Sequence, residues 1–281
     1  MRFYISNIDK NNYNISDIET GDKFMISESE LTCLLYFGYN VMGANLYKNS
    51  LYAQPLVFNE SSINMAKRLL VDSIWKSAKL EGLGTTFPDT EMVLENIPVA
   101  LPSSDISFIL NMRSAWNFVL DSLNCRNDLS LLRQLNMLVG SNLIQHCGEV
   151  RTSPVKIGGT SWTPDIPILS NLYGKITELL DIENNIIKAC KYFCFVARTQ
   201  IFLDGNKRVA QLIANKVLIE NDIGILQVPV EKLSEFKNLL LKFYETGNDT
   251  DIILFLIKNC IIFRDYNYYC DELNNRLLDK I

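Results

Sequence analysis

Long apolar runs are missing from this sequence, since no stretch of about eighteen or more apolar residues occurs, and a membrane-spanning helix is excluded. The opening residues Met1 to Ser6 lack the extended apolar run of a secretory signal, so the sequence is read as that of a soluble, cytoplasmic protein with no membrane partner. Paired cysteines are missing too. The seven cysteines (Cys33, Cys125, Cys147, Cys190, Cys194, Cys260, Cys270) are odd in number and show no CxxC spacing, which argues against a disulfide framework and against a zinc site. Cys190 and Cys194 fall four apart on an expected helix, where buried core thiols are the ordinary reading. An excess of positive charge is absent: the net charge is −5, and nucleic-acid backbones are bound by lysine and arginine displacing counterions, so no nucleic-acid partner is expected. There is a single histidine, His146, far in sequence from the polar loop described below and read as structural.

What remains is ample for a core. The 281 residues carry ordinary apolar, aromatic and charged fractions, which suits one large domain or a core with a smaller attached piece. Residues 1–60 mix short apolar runs with Asn, Asp and Gly, without a clean period, and are read as a mixed region of strands and helix. From Ser62 to Leu80 the residues Ile63, Ala66, Leu70, Ile74 and Ala78 recur at three- and four-residue spacing, which predicts one amphipathic helix stopped by Gly82. Ser103-Ser104-Asp105 offers N-cap residues to a helix reaching about Leu123, and a further helix is expected from about Leu129 to His146.

The segment Arg151 to Pro167 is rich in Pro and Gly and carries the β-formers Val155, Ile157 and Trp162, so a short extended hairpin or flap is expected. Helices are expected to resume near Leu169 and Asn185. Val209, Leu212, Ile213, Val217 and Leu218 again follow helical spacing, Pro229 suits a first helical turn, and the tail to Ile281 reads as largely helical. The expected fold class is therefore mainly α, and the expected division is 1–60, 61–100, 101–225 and 226–281.

Between two apolar helices stands Gln200-Ile201-Phe202-Leu203-Asp204-Gly205-Asn206-Lys207-Arg208, a polar loop opening directly into a helix. Unpaired N–H groups and the helix dipole favour an anion at such a start, with Gly205 and Asn206 letting a phosphate approach closely. Lys207 and Arg208 add full charge, and Arg208 supplies a planar fork. Asp204 is the candidate for a magnesium ion shared with phosphates. On composition alone, Asp204-Gly205-Asn206 also reads as a plain turn and cap with solvated cations behind it.

Phe202, Asp204, Gly205, Asn206 and Arg208 in this order resemble the Fic motif, written HxFx(D/E)GN(G/K)RxxR. Ser77-Ala78-Lys79-Leu80-Glu81-Gly82 is similar to the family's inhibitory motif, (S/T)xxxE(G/N). Ile157-Gly158-Gly159-Thr160-Ser161-Trp162-Thr163-Pro164 resembles its target-positioning flap, which receives a target segment by strand addition. The likeness covers roughly residues 60–260, with 101–225 as the Fic core. It implies a helical core that binds ATP with Mg²⁺ and transfers AMP to a hydroxyl of an unidentified protein target. Phe202 would anchor the loop, Asp204 would hold the metal, and Gly205, Asn206 and Arg208 would hold phosphates. Ser77, Glu81 and Gly82 would form the inhibitory element, with Glu81 entering the nucleotide site. A homodimer is compatible with the resemblance, and no residue points to it.

Three positions depart from the pattern. Gln200 stands at the histidine position, and an amide takes no proton at neutral pH, so the general base is missing. Gln211 replaces the final arginine, which removes the expected ionic partner of Glu81 and leaves Arg208 as one substitute. Lys207 stands where AMP-transferring members mostly carry glycine, as in the Doc branch of protein kinases, so phosphoryl transfer stays open. A catalytically inactive nucleotide-binding or regulatory module is the third reading. Tyr266, Tyr268 and Tyr269 suggest self-modification or, more ordinarily, a packing or partner surface.

Overall fold

A computed structural model describes residues 61–264 in full and the backbone of four strands ahead of them. The chain divides into two compact units, the first holding residues 1–60 and the second Ser61–Arg264. In the first, β1 (Phe3–Asp9), β2 (Asn12–Asp17), β3 (Lys23–Ser27) and β4 (Val41–Met42) make one sheet in the order β3-β2-β1-β4. β1 and β2, and β2 and β3, pair antiparallel, while β4 adds parallel to β1. The pairing of β1 and β2 shifts register between Ile5 and Asn7.

The second unit is mainly helical, as its apolar periodicity requires. It begins with α1 (Ser62–Arg68) and α2 (Leu70–Leu80). The single helix expected over 62–80 is thus broken at Leu69, whose backbone leaves the helical region at φ −94°, ψ 13°. The break lets both pieces stay buried, with Met65 and Ala66 on one and Ile74 and Ala78 on the other. At the far end Gly82 takes φ +84°, and the amides of Gly82 and Leu83 reach back to the carbonyls of Lys79 and Ala78. That left-handed stop is the one expected of glycine there.

α3 (Phe87–Leu94) opens with a reciprocal cap between Thr86 and Asp89, a satisfied pair of end donors. α4 (Ser103–Asp121) and α5 (Leu129–Gly140) follow, the latter capped by Asp128. The helix expected to reach His146 ends instead at Gly140. A Cβ on Gly140 would lie 2.7 Å from Cys147, so the chain folds back against that turn. His146 lies beyond it at φ +54°, exposed and 3.4 Å from the Glu149 carboxylate.

α6 (Leu169–Leu180), α7 (Asn185–Thr199) and α8 (Asn206–Glu220) come next. α7 and α8 pack along each other, and α8 also packs on α4, α5 and β5 (Gly224–Leu226). α8 is buried on nearly every side, which makes it the centre of the unit. Lys216 and Asn215 in its interior are paired. Lys216, fully buried, donates to the Cys125 carbonyl at 2.8 Å and to Glu220 at 2.7 Å. Asn215 holds Leu226 of β5 through both its oxygen and its nitrogen.

Pro229 precedes a 3₁₀ turn at Val230–Lys232, then come α9 (Leu233–Thr246) and α10 (Thr250–Phe255). The reading of the tail as largely helical is corrected at one point among the described residues. After a π-helical turn at Leu256–Cys260, β6 (Ile261–Phe263) pairs antiparallel with β5, because β-branched and aromatic residues at 261–263 fit a buried ladder better than another turn of helix. Tyr266, Tyr268 and Tyr269 lie outside the described residues. Among the described residues no helix is long and apolar enough to cross a membrane, and none of the cysteines or acidic residues cluster as metal ligands.

Candidate functional site

The loop between α7 and α8 is fixed by its own asparagine. Asn206, 3% exposed, accepts the Phe202 amide at 3.0 Å, donates to the Phe202 carbonyl at 2.8 Å and donates to the Gln200 side-chain oxygen at 3.1 Å. Phe202 is buried in the core beneath, so the loop is tied down by one apolar anchor and one polar one. A second asparagine, Asn136 of α5, donates to the Asp204 carbonyl at 2.9 Å and accepts the Gly148 amide at 2.7 Å.

Gly205 caps α8 at φ +81°, in the left-handed region where a side chain is strained. A Cβ there would meet Asn136 Nδ2 at 3.0 Å and Val139 Cγ2 at 3.2 Å. No side chain caps the first turn of α8, so its opening N–H groups are left for another partner. Asp204 turns its carboxylate outward, 71% exposed, with Oδ1 accepting the Gly205 amide at 2.6 Å.

Arg208 lies beneath this turn, its side chain 7% exposed. Nη1 donates to the Val139 carbonyl at 2.9 Å and Nη2 to Asp204 Oδ2 at 3.4 Å, and the guanidinium sits 5.4 Å over the Phe108 ring. Its Nε is buried without a hydrogen-bond partner. A buried donor without a hydrogen bond is costly.

The neighbouring carboxylate is Glu81. At the end of α2, its Oε2 is 2.8 Å from Lys207 Nζ and its Oε1 is 4.0 Å from Arg208 Nε. One turn earlier, Ser77 donates to the Gln211 side-chain oxygen at 3.1 Å within the core. The end of α2 is therefore joined to the start of α8 by two ion pairs, one close and one long, and by one buried hydrogen bond. Glu81 meets Lys207 more closely than Arg208, and Gln211 turns to Ser77. Burial first, and the Glu81 carboxylate second, hold the Tyr244 phenol above its ordinary range, so that hydroxyl stays neutral beside the site.

Gln200 closes α7 in a left-handed conformation, φ +49°. Its amide donates to the Ala197 carbonyl at 2.6 Å and its oxygen accepts from Asn206. Both ends of the side chain are thus engaged within the protein.

The flap runs from Ser153 to Pro164 with a turn at Gly158-Gly159, and the expected hairpin is not there: no strand is formed and no ladder joins the two arms. Pro154 and Pro164 supply no N–H, and the arms are held by side chains instead. A Cβ on Gly159 would touch Leu241 of α9 at 3.3 Å. Thr160 donates to Glu245 at 3.1 Å and accepts the Trp162 amide at 3.0 Å. Trp162 stacks on Tyr244 at 5.9 Å, with the Arg198 guanidinium 4.5 Å from its ring. Gly158 is exposed and Ile157 half-buried. Gly159, Thr160 and Trp162 bear on α9, and the flap meets the loop at its feet, through Arg151.

Arg151 was not singled out by its place in the sequence, nor was Asn136. A polar residue interrupting the apolar stripe of Leu132, Leu135 and Val139 is the one signal that marks Asn136. An open cleft of about 1130 Å³ runs beside the flap, lined by Trp162, Ile166, Leu172, Phe195 and Phe243 with Lys191 and Asp249. Arg198 and Thr199 also line it, and none of the residues Asp204 to Arg208 does.

The fold of this unit is that of the Fic proteins, and the loop between α7 and α8 is where the Fic-like residues meet. Residues 127–218, about a third of the chain, match the family described as the Fic/DOC family. Among solved structures the chain is similar to a Fic domain containing signaling protein from Bacteroides thetaiotaomicron, at 19% identity and TM-score 0.55, over 63% of this chain and 72% of that one. It is similar to Fic-1 from C. elegans, at 17% and 0.57, over 75% and 66%. It is also similar to a Fic family protein from Desulfovibrio desulfuricans, at 15% and 0.59, over 69% and 62%. At these identities the likeness is one of fold, and the chain spans less than two thirds of the last two proteins. No curated protein matches the chain in sequence.

Proposed function

We propose that this chain is a Fic-family protein that binds ATP with Mg²⁺ at the start of α8 and would transfer AMP to hydroxyl groups of a protein target, with Glu81 holding the site shut. The observation that carries this reading is the buried Nε of Arg208, which has no hydrogen-bond partner and stands 4.0 Å from the Glu81 carboxylate, beside Lys207, a cationic turn faced by the protein's own carboxylate. The residues present fit the nucleotide's phosphates and a metal. Arg208, Lys207 and the free N–H groups at the start of α8 would hold phosphate oxygens. Asp204, exposed and already oriented by the Gly205 amide, would face magnesium, which would neutralise phosphate charge during transfer. Asn206 and Phe202 keep the loop in shape, Asn136 backs it from α5, and Gln211 sits where a further arginine would reach the terminal phosphate.

Gln200 limits the chemistry. Its amide is neutral and bound to Ala197 and Asn206, so it neither accepts the target's proton nor turns toward it. The loss of a positioned base typically lowers a rate by ~10²–10⁴-fold. That observation favours a second reading, a catalytically inactive nucleotide-binding or regulatory module. Lys207 supports a third, transfer of the terminal phosphoryl group as in the Doc branch.

ATP labelled separately at the α- and γ-phosphates, offered with Mg²⁺ to the natural chain, to Glu81→Gly and to Glu81→Gly with Gln200→His, separates the three. α-label on protein supports AMP transfer, and γ-label supports the kinase reading. ATP binding by calorimetry with no label transferred by any variant leaves the binding module, and no binding by any variant ends all three.

A further inference from the structure

Arg151 stands just ahead of the flap, 2% exposed, and its fork spans two parts of the site. Nε donates to the Gln200 carbonyl at 2.5 Å. Nη1 donates to the Ser153 carbonyl at 2.9 Å, and Nη2 to the Asp165 carbonyl at 2.5 Å and the Pro164 carbonyl at 3.4 Å. Its own amide donates to the Ile201 carbonyl at 3.0 Å. Ser153 is the entry of the flap and Pro164-Asp165 its exit. One planar group therefore grips both feet of the flap and the first residue of the phosphate loop.

The grip is specific to arginine. Buried carbonyls need donors, and the guanidinium directs several N–H groups at fixed angles, whereas an ammonium is a single point on a flexible stem. The flap has no ladder of its own, and the loop begins at a non-glycine residue in a left-handed conformation, φ +49°, which persists where the surroundings over-determine it. Arg151 bears on the carbonyl of that residue, and Asn206 on its side chain.

We propose that Arg151 is a positioning residue that sets the flap and the Gln200–Arg208 loop in register, so that displacement of the flap is transmitted to the loop. Its bearing on how a target chain is aligned rests on the function proposed above; the mechanical coupling does not.

Hydrogen exchange of the full chain, read by mass spectrometry without nucleotide, tests it. The perturbation is Gly159→Val, which places a branched side chain at φ +88° against Leu241 and lifts the flap turn from α9 without touching the loop. In the natural chain Gly159→Val should raise exchange at the flap's bonded amide, Trp162, and also over 200–205, where the amides of Gln200, Phe202 and Gly205 are bonded. The expected rise is about tenfold, with α5 and α8 unchanged. In Arg151→Gln the loop should already exchange faster, Gly159→Val should add nothing there, and Arg151→Lys should not restore protection. Faster exchange of the flap alone in Gly159→Val overturns the proposal, as does an Arg151→Gln loop that exchanges like the natural one. Where Arg151→Gln does not fold, Gly159→Val in the natural chain decides the matter. ATP titration of the same proteins is scored separately: coupled exchange in a chain that binds no ATP sinks the proposed function and leaves the coupling standing.

Discussion

The carboxylate of Glu81 meets the ammonium of Lys207 at 2.8 Å, while the buried Nε of Arg208 stands 4.0 Å from the same carboxylate without a hydrogen-bond partner. The ion pair closes the turn, yet leaves its deepest donor unfilled. A phosphate would satisfy both cations at once, and a carboxylate held by α2 reaches only one of them well.

Glu81→Gly and Glu81→Gln should therefore bind ATP more tightly than the natural chain. The pair is partly exposed and weakly stabilising, about 0–1 kcal/mol, so the release of Lys207 should bring a gain of about severalfold, read by calorimetry at fixed ionic strength. Unchanged affinity in both variants would show that Glu81 does not compete with the nucleotide.

Phe202→Ala should cost about 3–5 kcal/mol of stability, the range for a large aromatic removed from a packed core, since Phe202 is fully buried. Asn206→Ala leaves the buried Phe202 amide and carbonyl unpaired and should cost about 1–3 kcal/mol. Urea unfolding of the two proteins checks both figures. Asn206→Ala at natural stability would mean that the loop does not depend on its asparagine.

Gly205→Ala should weaken ATP binding and lower stability by at least about 1–2 kcal/mol, the cost of a left-handed alanine. Further loss comes from the contact with Asn136 at 3.0 Å. Thermal unfolding and ATP titration together show whether the turn needs glycine, and an alanine variant that unfolds and binds like the natural chain would rule that out.

Stability should fall in alkali. Burial pushes the Cys190 thiol from its ordinary 9.0 to about 12, and burial also raises Cys194, Cys260, Tyr192 and Tyr244. Each is an acid that keeps its proton longer when folded than when unfolded. The stabilisation is complete below about pH 9 and is lost as the pH rises toward 12. Melting temperatures measured from pH 7 to 11 should decline above 9, and a flat profile contradicts the burial. Alkylation at pH 8 should modify the exposed Cys125 while sparing Cys190, Cys194 and Cys260 until the chain unfolds.

Much of this was legible in the order of residues, because helical periodicity and motif spacing are local properties. The apolar recurrence over 62–80 and 209–218 gave α1, α2 and α8, and the loop from Gln200 to Arg208 was recognisable as a polar turn opening a helix before any packing was known. The break at Leu69, the end of α5 at Gly140 and the ladder of Ile261–Phe263 were not legible, since each depends on a surface distant in sequence. The flap was expected as a hairpin, and two prolines with side-chain contacts to α9 made it an extended strap instead.

By itself the sequence determined that the fold is mainly helical, that a polar loop opens a buried helix, and that position 200 carries a neutral amide. Those follow from residue type and spacing, which no packing alters. The tertiary structure decided the partners: Lys207 for Glu81, Ser77 for Gln211, and Arg151 for both feet of the flap and the Gln200 carbonyl. Charged and polar side chains pair with whatever the fold brings within about 3 Å, and across 126 positions between Glu81 and Lys207, only the packing of α2 on the core could make that choice.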